Sequence, residues 1–374
     1  MWRRARCLPF AILGLVVLAA AACGGATPPT PANSSAPASA PASIDSLLAT
    51  AKNEKGVVMY GNVPAPFFKS VVEGFNAKYP SITVEYSDLS DNQIFSKYQS
   101  ERAQNARTAD LLMASAPSLW IQARENGTIA DVTPQGLSNF PDFTRQARGL
   151  YIMAADPVIV GFNTKLLSSA EIPTSYADLA AKVTADPAKY KLNTYTIDNT
   201  FGYAAIYGLV HILGEDQAWK ILDRLGPNSI TYAEGTRGLT DLISGATPVG
   251  YLGSGLGQVV IPAASKGLAS YGFMQDATPL VPRAIGVTAG AASPASAQLF
   301  LDYVFSDAGQ QVLCAAGLEA TANNFVASGD CTANLADLRK KVPAETIYLV
   351  PISKDVLDQQ PTITKRWNQA FQRT

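Results

Sequence analysis

Apolar residues change spacing repeatedly along this chain, and the alternation predicts strands followed by helices. Short apolar runs predict three strands in the first third, at Val57–Met59, Ile82–Tyr86 and Ala109–Met113. Stretches with helical spacing of apolar residues follow each run, over about 67–75, 92–106 and 120–126. Strands that alternate with helices of this length predict an α/β fold of mostly parallel sheets with helices on both faces.

The same alternation continues after residue 155 with different side chains and without an internal repeat. Further strands are predicted at Asp156–Phe162, Tyr195–Ile197, Pro248–Leu252 and Arg283–Thr288. Helices are predicted at Ser175–Val183, Asn199–Leu213, Glu215–Leu225, Arg237–Ile243 and Pro294–Phe305. The chain therefore carries enough α/β units for two lobes.

Composition agrees with two lobes and argues against nucleic acid and nucleotides as partners. The chain has 374 residues, of which 47% are hydrophobic. This length is greater than one compact domain usually needs. Its 29 Lys and Arg nearly balance its 30 Asp and Glu, so no basic field is available to attract nucleic acid. Because no Lys-Ser/Thr follows Gly253, Gly255 and Gly257, a nucleotide loop is disfavoured there, and no cofactor is predicted.

The first residues predict export. Arg3, Arg4 and Arg6 precede the uncharged apolar run Leu8–Ala22, which is shorter than the roughly 20 residues of a membrane span. Residues 1–22 therefore indicate a signal peptide. Small residues directly before Cys23 resemble a bacterial lipobox, which predicts lipidation of the Cys23 thiol. The alternative is ordinary cleavage at an Ala-x-Ala site, with Cys23 incidental.

Residues 23–43 have the composition of a tether, with Ala, Pro, Ser, Thr, Gly and Asn making up nearly all of Gly25–Ser43. The folded part is expected to begin near Ile44, with the protein anchored outside the cytoplasmic membrane. After Cys7 and Cys23, only Cys314 and Cys331 remain, and in an oxidising compartment they are expected to form a disulfide. Two separate buried thiols are the alternative. A zinc site is not expected, because no His or third Cys lies close to these two cysteines in the sequence.

The order of several segments resembles type 2 periplasmic binding proteins, within the ferric-iron-like branch of family-1 extracellular solute-binding proteins. The stretches that carry the resemblance are Val57–Gly61, Ala109–Met113, Gly127–Asp131, Val160–Thr164, Ile172–Leu179 and Ala295–Gln310. None of these is specific alone, but their order extends over most of residues 55–312.

The resemblance implies two α/β lobes joined by two hinge crossovers, with one lobe at 44–155 plus 281–374 and the other at 156–280. It implies a ligand cleft at loops beyond the carboxyl ends of strands, where helix N-termini point inward. It also implies a monomer that closes around its ligand and delivers it to an ABC permease and its ATPase.

Ferric iron is the first alternative ligand, because ferric members of this branch hold the metal through adjacent tyrosines. By position, Gly255 and Leu256 stand where that pair would be, and neither supplies a donor. His211 lies in the apolar run Leu209–Leu213, which indicates a core or helix-face residue. Tyr232 and Tyr251 lack an accompanying acidic cluster. The sequence therefore predicts no metal site.

The remaining candidate residues of the cleft are neutral hydrogen-bonding groups and one cation. They lie at strand ends or helix starts and are Asn62, Ser115, Asn199, Thr200, Tyr232, Arg237, Tyr251 and Ser254. Helix N-termini bind anions, and Arg can hold a carboxylate or phosphate through two parallel bonds. The hypothesis is a small organic anion or zwitterion with Arg237 as its charge partner. Plain capping explains Asn199 and Thr200 equally well, and Arg237 could be a solvated helix charge.

Two rival classes of function remain after this reasoning. A lipoprotein enzyme would need a catalytic base, and the one histidine lies in an apolar run, so the chain is not expected to be an enzyme. A surface sensory or adhesin module would need the same cleft as a transport protein. The sequence does not separate that module from transport.

Overall fold

The structure is a computed structural model that describes residues 43–372. Within that range the α-helices are α1 (Ile44–Ala51), α2 (Ala65–Lys78), α3 (Asp91–Ala103), α4 (Pro117–Glu125), α5 (Tyr176–Ala185), α6 (Thr200–Leu213), α7 (Glu215–Leu225), α8 (Gly235–Ser244), α9 (Gly257–Ser265), α10 (Pro294–Val304), α11 (Asp307–Ala315), α12 (Leu335–Lys341) and α13 (Lys354–Ala370). The strands are β1 (Val57–Gly61), β2 (Val84–Asp88), β3 (Leu111–Ala114), β4 (Arg145–Ala147), β5 (Leu150–Pro157), β6 (Ile159–Asn163), β7 (Leu192–Tyr195), β8 (Ser229–Tyr232), β9 (Val249–Gly253), β10 (Ala269–Gly272), β11 (Thr278–Val287) and β12 (Ile347–Leu349).

The described strands form two sheets. The first sheet has the order β2-β1-β3-β11-β5-β4, with β12 paired to β11, and the second has the order β10-β6-β9-β7-β8. The predicted fold class, a two-lobe α/β fold, is confirmed. The sheets are mixed rather than mostly parallel, because β11 runs against β3 and β5, and β6 runs against β9 and β10.

The mixed character has its origin in the two passages between the sheets. β5 ends at Pro157 and β6 begins at Ile159, so the chain enters the second sheet without a helix. It returns in the same way between β10 and β11. A helical crossover places the strands that it connects parallel to each other, whereas a direct passage between strands does not require a parallel arrangement.

The first passage also corrects the single strand predicted at Asp156–Phe162. Pro157 has no N–H to donate, and the amide of Val158 donates to the carbonyl of Pro279 in β11 at 2.8 Å, so pairing with the first sheet extends to Val158 and pairing with the second sheet begins at Ile159. The apolar run is therefore continuous in sequence but divided between two sheets. The strand predicted at Tyr195–Ile197 lies slightly earlier, as β7, and the Gly-rich stretch after β9 leads into α9.

Separate apolar clusters lie around the two sheets. One cluster includes Phe68, Phe75 and Phe300 beside the first sheet, whereas another includes Leu192 of the second sheet together with Trp367 of α13. The helix α13 thus shares a core with α6 and α7, and it also contacts α4. The lobe boundaries themselves remain a prediction.

The cysteines behave as expected where the structure describes them. Cys314 and Cys331 form a disulfide, with their Cα atoms 4.8 Å apart, so that prediction is confirmed. The predicted signal peptide, the lipidation site Cys23 and nearly all of the tether lie outside the described residues. Among the helices of residues 43–372, none is both long and apolar enough to cross a membrane. His211 is an exposed helix-face residue of α6, stacked on Tyr348 with ring centroids 3.8 Å apart.

Candidate functional site

A cavity of about 590 Å³ lies between the two sheets. Its walls come from the segments that follow the carboxyl ends of β1, β2 and β3 in the first sheet and of β7, β8 and β9 in the second. Such segments meet at one edge of an α/β sheet, and ligands bind there because helix N-termini and loop side chains converge. The cavity therefore lies where the resemblance places a ligand.

Seven of the eight predicted ligand-binding residues line this cavity: Asn62, Ser115, Asn199, Thr200, Tyr232, Tyr251 and Ser254. Several of them also have structural partners. Asn199 is the N-cap of α6, where its Oδ1 accepts from the amide of Gly202 at 2.9 Å. The Tyr251 hydroxyl lies 2.9 Å from Ser229 Oγ, and the Tyr232 hydroxyl donates to Asp241. Capping and cavity lining are thus compatible at Asn199.

Arg237 is the exception among the predicted residues. It does not line the cavity; its side chain is 69% exposed and pairs with Asp241 of the same helix at 3.3 Å. The pair is an i,i+4 contact on the outer face of α8. The solvated alternative describes the place of Arg237 in this structure, and its role as the ligand's charge partner stays a prediction.

The cation that does line the cavity is Arg283 of β11, a residue that the sequence reasoning missed as a site residue. Its side chain is 2% exposed and forms a buried ion pair with Asp156 at the end of β5. Its other terminal nitrogen donates to Asn62 Oδ1. An arginine inside a predicted apolar strand was the available signal, because a buried charge requires partners.

Carboxyl groups outnumber this cation around the cavity. Asp88, Asp91, Asp198 and Glu234 all line it, and none of the four forms an ion pair with a described Lys or Arg. The Arg283 charge is already opposed by Asp156. The cavity is therefore formally acidic, contrary to the expectation of neutral groups and one cation.

Asp91 is the most buried of these acids. Burial raises its pKa above the usual value, while hydrogen bonds from Thr200, Ser115 and Asn62 and the charge of Arg283 act in the opposite direction. Burial likewise raises the pKa of Asp88, against one backbone hydrogen bond from Ala65. The segment Asp88–Asp91 follows a predicted strand, as Asn62 and Ser115 do, so the same rule could have found it.

The tyrosines at the cavity have environments that favour the neutral phenol. Burial raises the pKa of Tyr195 to about 12, and it also raises the pKa of Tyr251 and Tyr232. Phenolate is the form that ferric iron binds. Residues 43–372 contain no group of three His, Cys, Asp or Glu side chains arranged to hold a metal ion.

Position 255, where the resemblance would place a tyrosine, has no space for a side chain. A Cβ atom on Gly255 would lie 2.7 Å from Pro157 Cδ and 2.9 Å from the Pro157 carbonyl oxygen. The loop after β9 therefore packs against the backbone of the passage between the sheets. A side chain at position 255 would require that backbone to move.

The sequence profile of the family described as bacterial extracellular solute-binding protein matches residues 70–337. The chain belongs to this family. No curated protein sequence matches it. Proteins of this family are extracellular and bind solutes, so the family is described by binding and not by an enzymatic activity.

Solved structures with similar folds include several substrate-binding proteins. A substrate-binding protein of an ABC transporter from Agrobacterium tumefaciens is 18% identical, with a TM-score of 0.75, over 87% of this chain and 96% of that one. The fructose-6-phosphate-bound periplasmic protein AfuA from Actinobacillus pleuropneumoniae is 18% identical, with a TM-score of 0.66, over 85% and 99%. Iron-bound HitA from Pseudomonas aeruginosa is 16% identical, with a TM-score of 0.64, over 82% and 99%. At these identities the likeness concerns the fold of this solute-binding protein.

Proposed function

We propose that this solute-binding protein captures a small organic cation or zwitterion in the cavity between its sheets and delivers it to an ABC permease. The observation that carries the proposal is the charge of the lining, where four carboxyl groups face one arginine that is already paired. A positively charged group that enters the cavity is attracted by carboxylates, whereas a simple anion is repelled. The anion predicted from sequence depended on Arg237, which lies outside the cavity.

The rest of the lining supports an organic molecule with both polar and apolar parts. Apolar walls are contributed by Ile159, Phe201, Leu242, Leu256 and Ile261. The N-termini of α6 and α8 also line the cavity and suit a hydroxyl or carboxylate of the same molecule. A zwitterion would use both the carboxylates and the helix N-termini. It is also one of the two ligand classes, organic anion or zwitterion, that the sequence predicted.

Ferric iron is a weaker candidate for two reasons. The tyrosines that line the cavity have raised pKa values, and position 255 has no room for the side chain that ferric members of the branch use. A free metal ion also leaves the apolar walls without a function.

Thermal unfolding of the purified protein with panels of solutes tests the proposal. Amino acids, polyamines and aromatic or quaternary ammonium compounds form one panel, and phosphorylated sugars, phosphonates and ferric salts form the other. A ligand at about 100 times its dissociation constant adds roughly 2.7 kcal/mol of stability. We expect a shift with a member of the first panel, and about tenfold weaker binding after Asp198→Asn, which removes one cavity carboxylate.

The matched control is Asp142→Asn, which makes the same chemical change at an exposed carboxyl outside the cavity. Its affinity for the ligand should equal that of the wild-type protein. A shift only with phosphorylated sugars, phosphonates or ferric salts would contradict the proposal.

We also propose that the protein acts as a monomer held at the outer face of the cytoplasmic membrane by lipid on Cys23. The small residues before Cys23 and the Ala-, Pro- and Ser-rich stretch after it support this anchor. The protein should sediment with membranes after cell disruption, and Cys23→Ser should release it. Retention of the Cys23→Ser variant in the membrane fraction would rule out this anchor.

A further inference from the structure

Asp91 lies at the centre of a set of donors that come from both sheets. Its Oδ1 accepts from Asn62 Nδ2 at 2.6 Å and from the Ser115 amide at 3.1 Å, and its Oδ2 accepts from Thr200 Oγ1. Asn62 follows β1, Ser115 follows β3, and Thr200 is the first residue of α6 beside the second sheet. All three partners donate, so these contacts fit the carboxylate form of Asp91.

Arg283 adds positive charge to this donor set. Its Nη1 donates to Asn62 Oδ1, which orients the Asn62 amide so that the NH₂ group points at Asp91. A backbone amide at a strand end, a side-chain amide, a hydroxyl and a nearby guanidinium together form the kind of site that binds a carboxylate or phosphate. In this structure the Asp91 carboxylate occupies that position.

Helix capping does not account for Asp91. The start of α3 is already capped by Ser90 and Gln93, with the Ser90 amide donating to Gln93 Oε1 at 3.0 Å. The side-chain contacts of Asp91 all go to other elements of the fold. In addition, Ser115 Oγ is buried at the cavity wall and has no hydrogen-bond partner among the described residues.

We propose that Asp91 is a built-in anion that fills an anion-binding site in the cavity and so makes the protein select against anionic solutes. This inference rests on the proposed function in taking the cavity as the ligand site. With the Asn62, Ser115-amide and Thr200 donors already engaged, a carboxylate or phosphate of a solute meets the negative charge of Asp91 at this place. A positively charged group meets that same charge favourably.

Removal of the carboxylate should therefore create an anion site. We expect Asp91→Ala to bind acetate, with an affinity at least about tenfold higher than that of the wild-type protein, because even one charge-assisted hydrogen bond regained corresponds to about that factor. Calorimetric titration with sodium acetate measures the affinity, and sodium chloride at equal ionic strength is the salt control. Acetate, but not chloride, should also raise the unfolding temperature of Asp91→Ala.

Asp198→Ala is the matched control variant, because Asp198 lines the same cavity but accepts no hydrogen bond from Asn62, Ser115 or Thr200. It removes one carboxylate from the cavity without freeing the donors, so its gain in acetate affinity should be much smaller than that of Asp91→Ala. An equal gain in both variants would show that net charge alone acts, and it would overturn the proposal.

A second variant keeps the test decisive if Asp91→Ala does not fold. Asp91→Ser retains a polar group beside the donors and should gain acetate binding in the same direction. Folded variants at position 91 without any gain over the wild-type protein would overturn the proposal. The acetate measurement does not depend on the natural ligand. If the variants at position 91 gain acetate binding but no cationic solute from the panels binds the wild-type protein, this inference holds and the proposed function fails.

Discussion

Arg283→Met is expected to lower the free energy of unfolding by about 3–5 kcal/mol, the usual cost of removing one partner from a buried ion pair. The side chains of Arg283 and Asp156 are 2% and 0% exposed, so Asp156 would be left in a dry environment without its cation. Burial already raises the pKa of Asp156, with Arg283 acting against that rise. Urea-induced unfolding at neutral pH measures the change.

Two further variants make this result specific. The double variant Arg283→Met/Asp156→Asn should be less destabilised than the single variant, because no charge is left buried without a partner. Arg148→Met is the matched control, since Arg148 and Asp131 form an exposed pair at 3.4 Å, and its effect should stay within about 1 kcal/mol. Equal effects of Arg283→Met and Arg148→Met would contradict the role of the buried pair.

Glu319→Gln is expected to remove most of the loss of stability that the wild-type protein shows between about pH 6.5 and 8. Glu319 is 1% exposed, and burial raises its pKa from the usual 4.5 to about 8, assisted by the nearby charge of Asp156. Its Oε2 accepts from Gln258 Nε2 at 3.2 Å, which acts in the opposite direction.

The sign follows from the protons bound in each state. Between pH 4.5 and about 8 the folded protein keeps the Glu319 proton, whereas the unfolded chain releases it. The stabilisation is therefore fully present below pH 4.5 and is lost as the pH rises through about 8, at up to roughly 1.4 kcal/mol per pH unit. Glutamine stays neutral at every pH, so the slope should disappear with this substitution.

The window above pH 6.5 separates Glu319 from Asp302, whose pKa burial raises to about 6. Urea-induced unfolding at pH 6.5, 7.2 and 8 gives the slope for each protein. The exposed Glu345→Gln variant should keep the wild-type slope. An unchanged slope in Glu319→Gln would show that this carboxyl group is already ionised in the folded protein.

Local patterns predicted the elements well where one element serves one sheet. The helix predicted at Glu215–Leu225 has those bounds in the structure, and Asn199 caps α6 as its side chain suggested. The prediction failed at Asp156–Phe162 because an apolar run looks the same whether it forms one strand or two. Only the pairing partners on either side of Val158 divide it between two sheets.

Sequence reasoning found the neutral residues that line the cavity but missed its charged residues. Asn62, Ser115 and Thr200 were found because they follow strand ends, and they do converge. Arg237 was selected as the one positive charge among the candidate residues, but the direction of its side chain depends on the packing of α8. Arg283 lies more than two hundred residues from Asn62 in the chain, and their contact depends on the pairing of β11 with β3.

Sequence reasoning alone predicted the α/β class, the disulfide partners and the strand ends that line the cavity, because these follow from local periodicity, cysteine number and the ends of strands. Tertiary structure alone decided the charge of the cavity, the partner of Arg283 and the donors around Asp91. Electrostatic character depends on distances and burial between residues far apart in the chain. No local pattern carries that information, since it arises only when the two sheets bring their strand ends together.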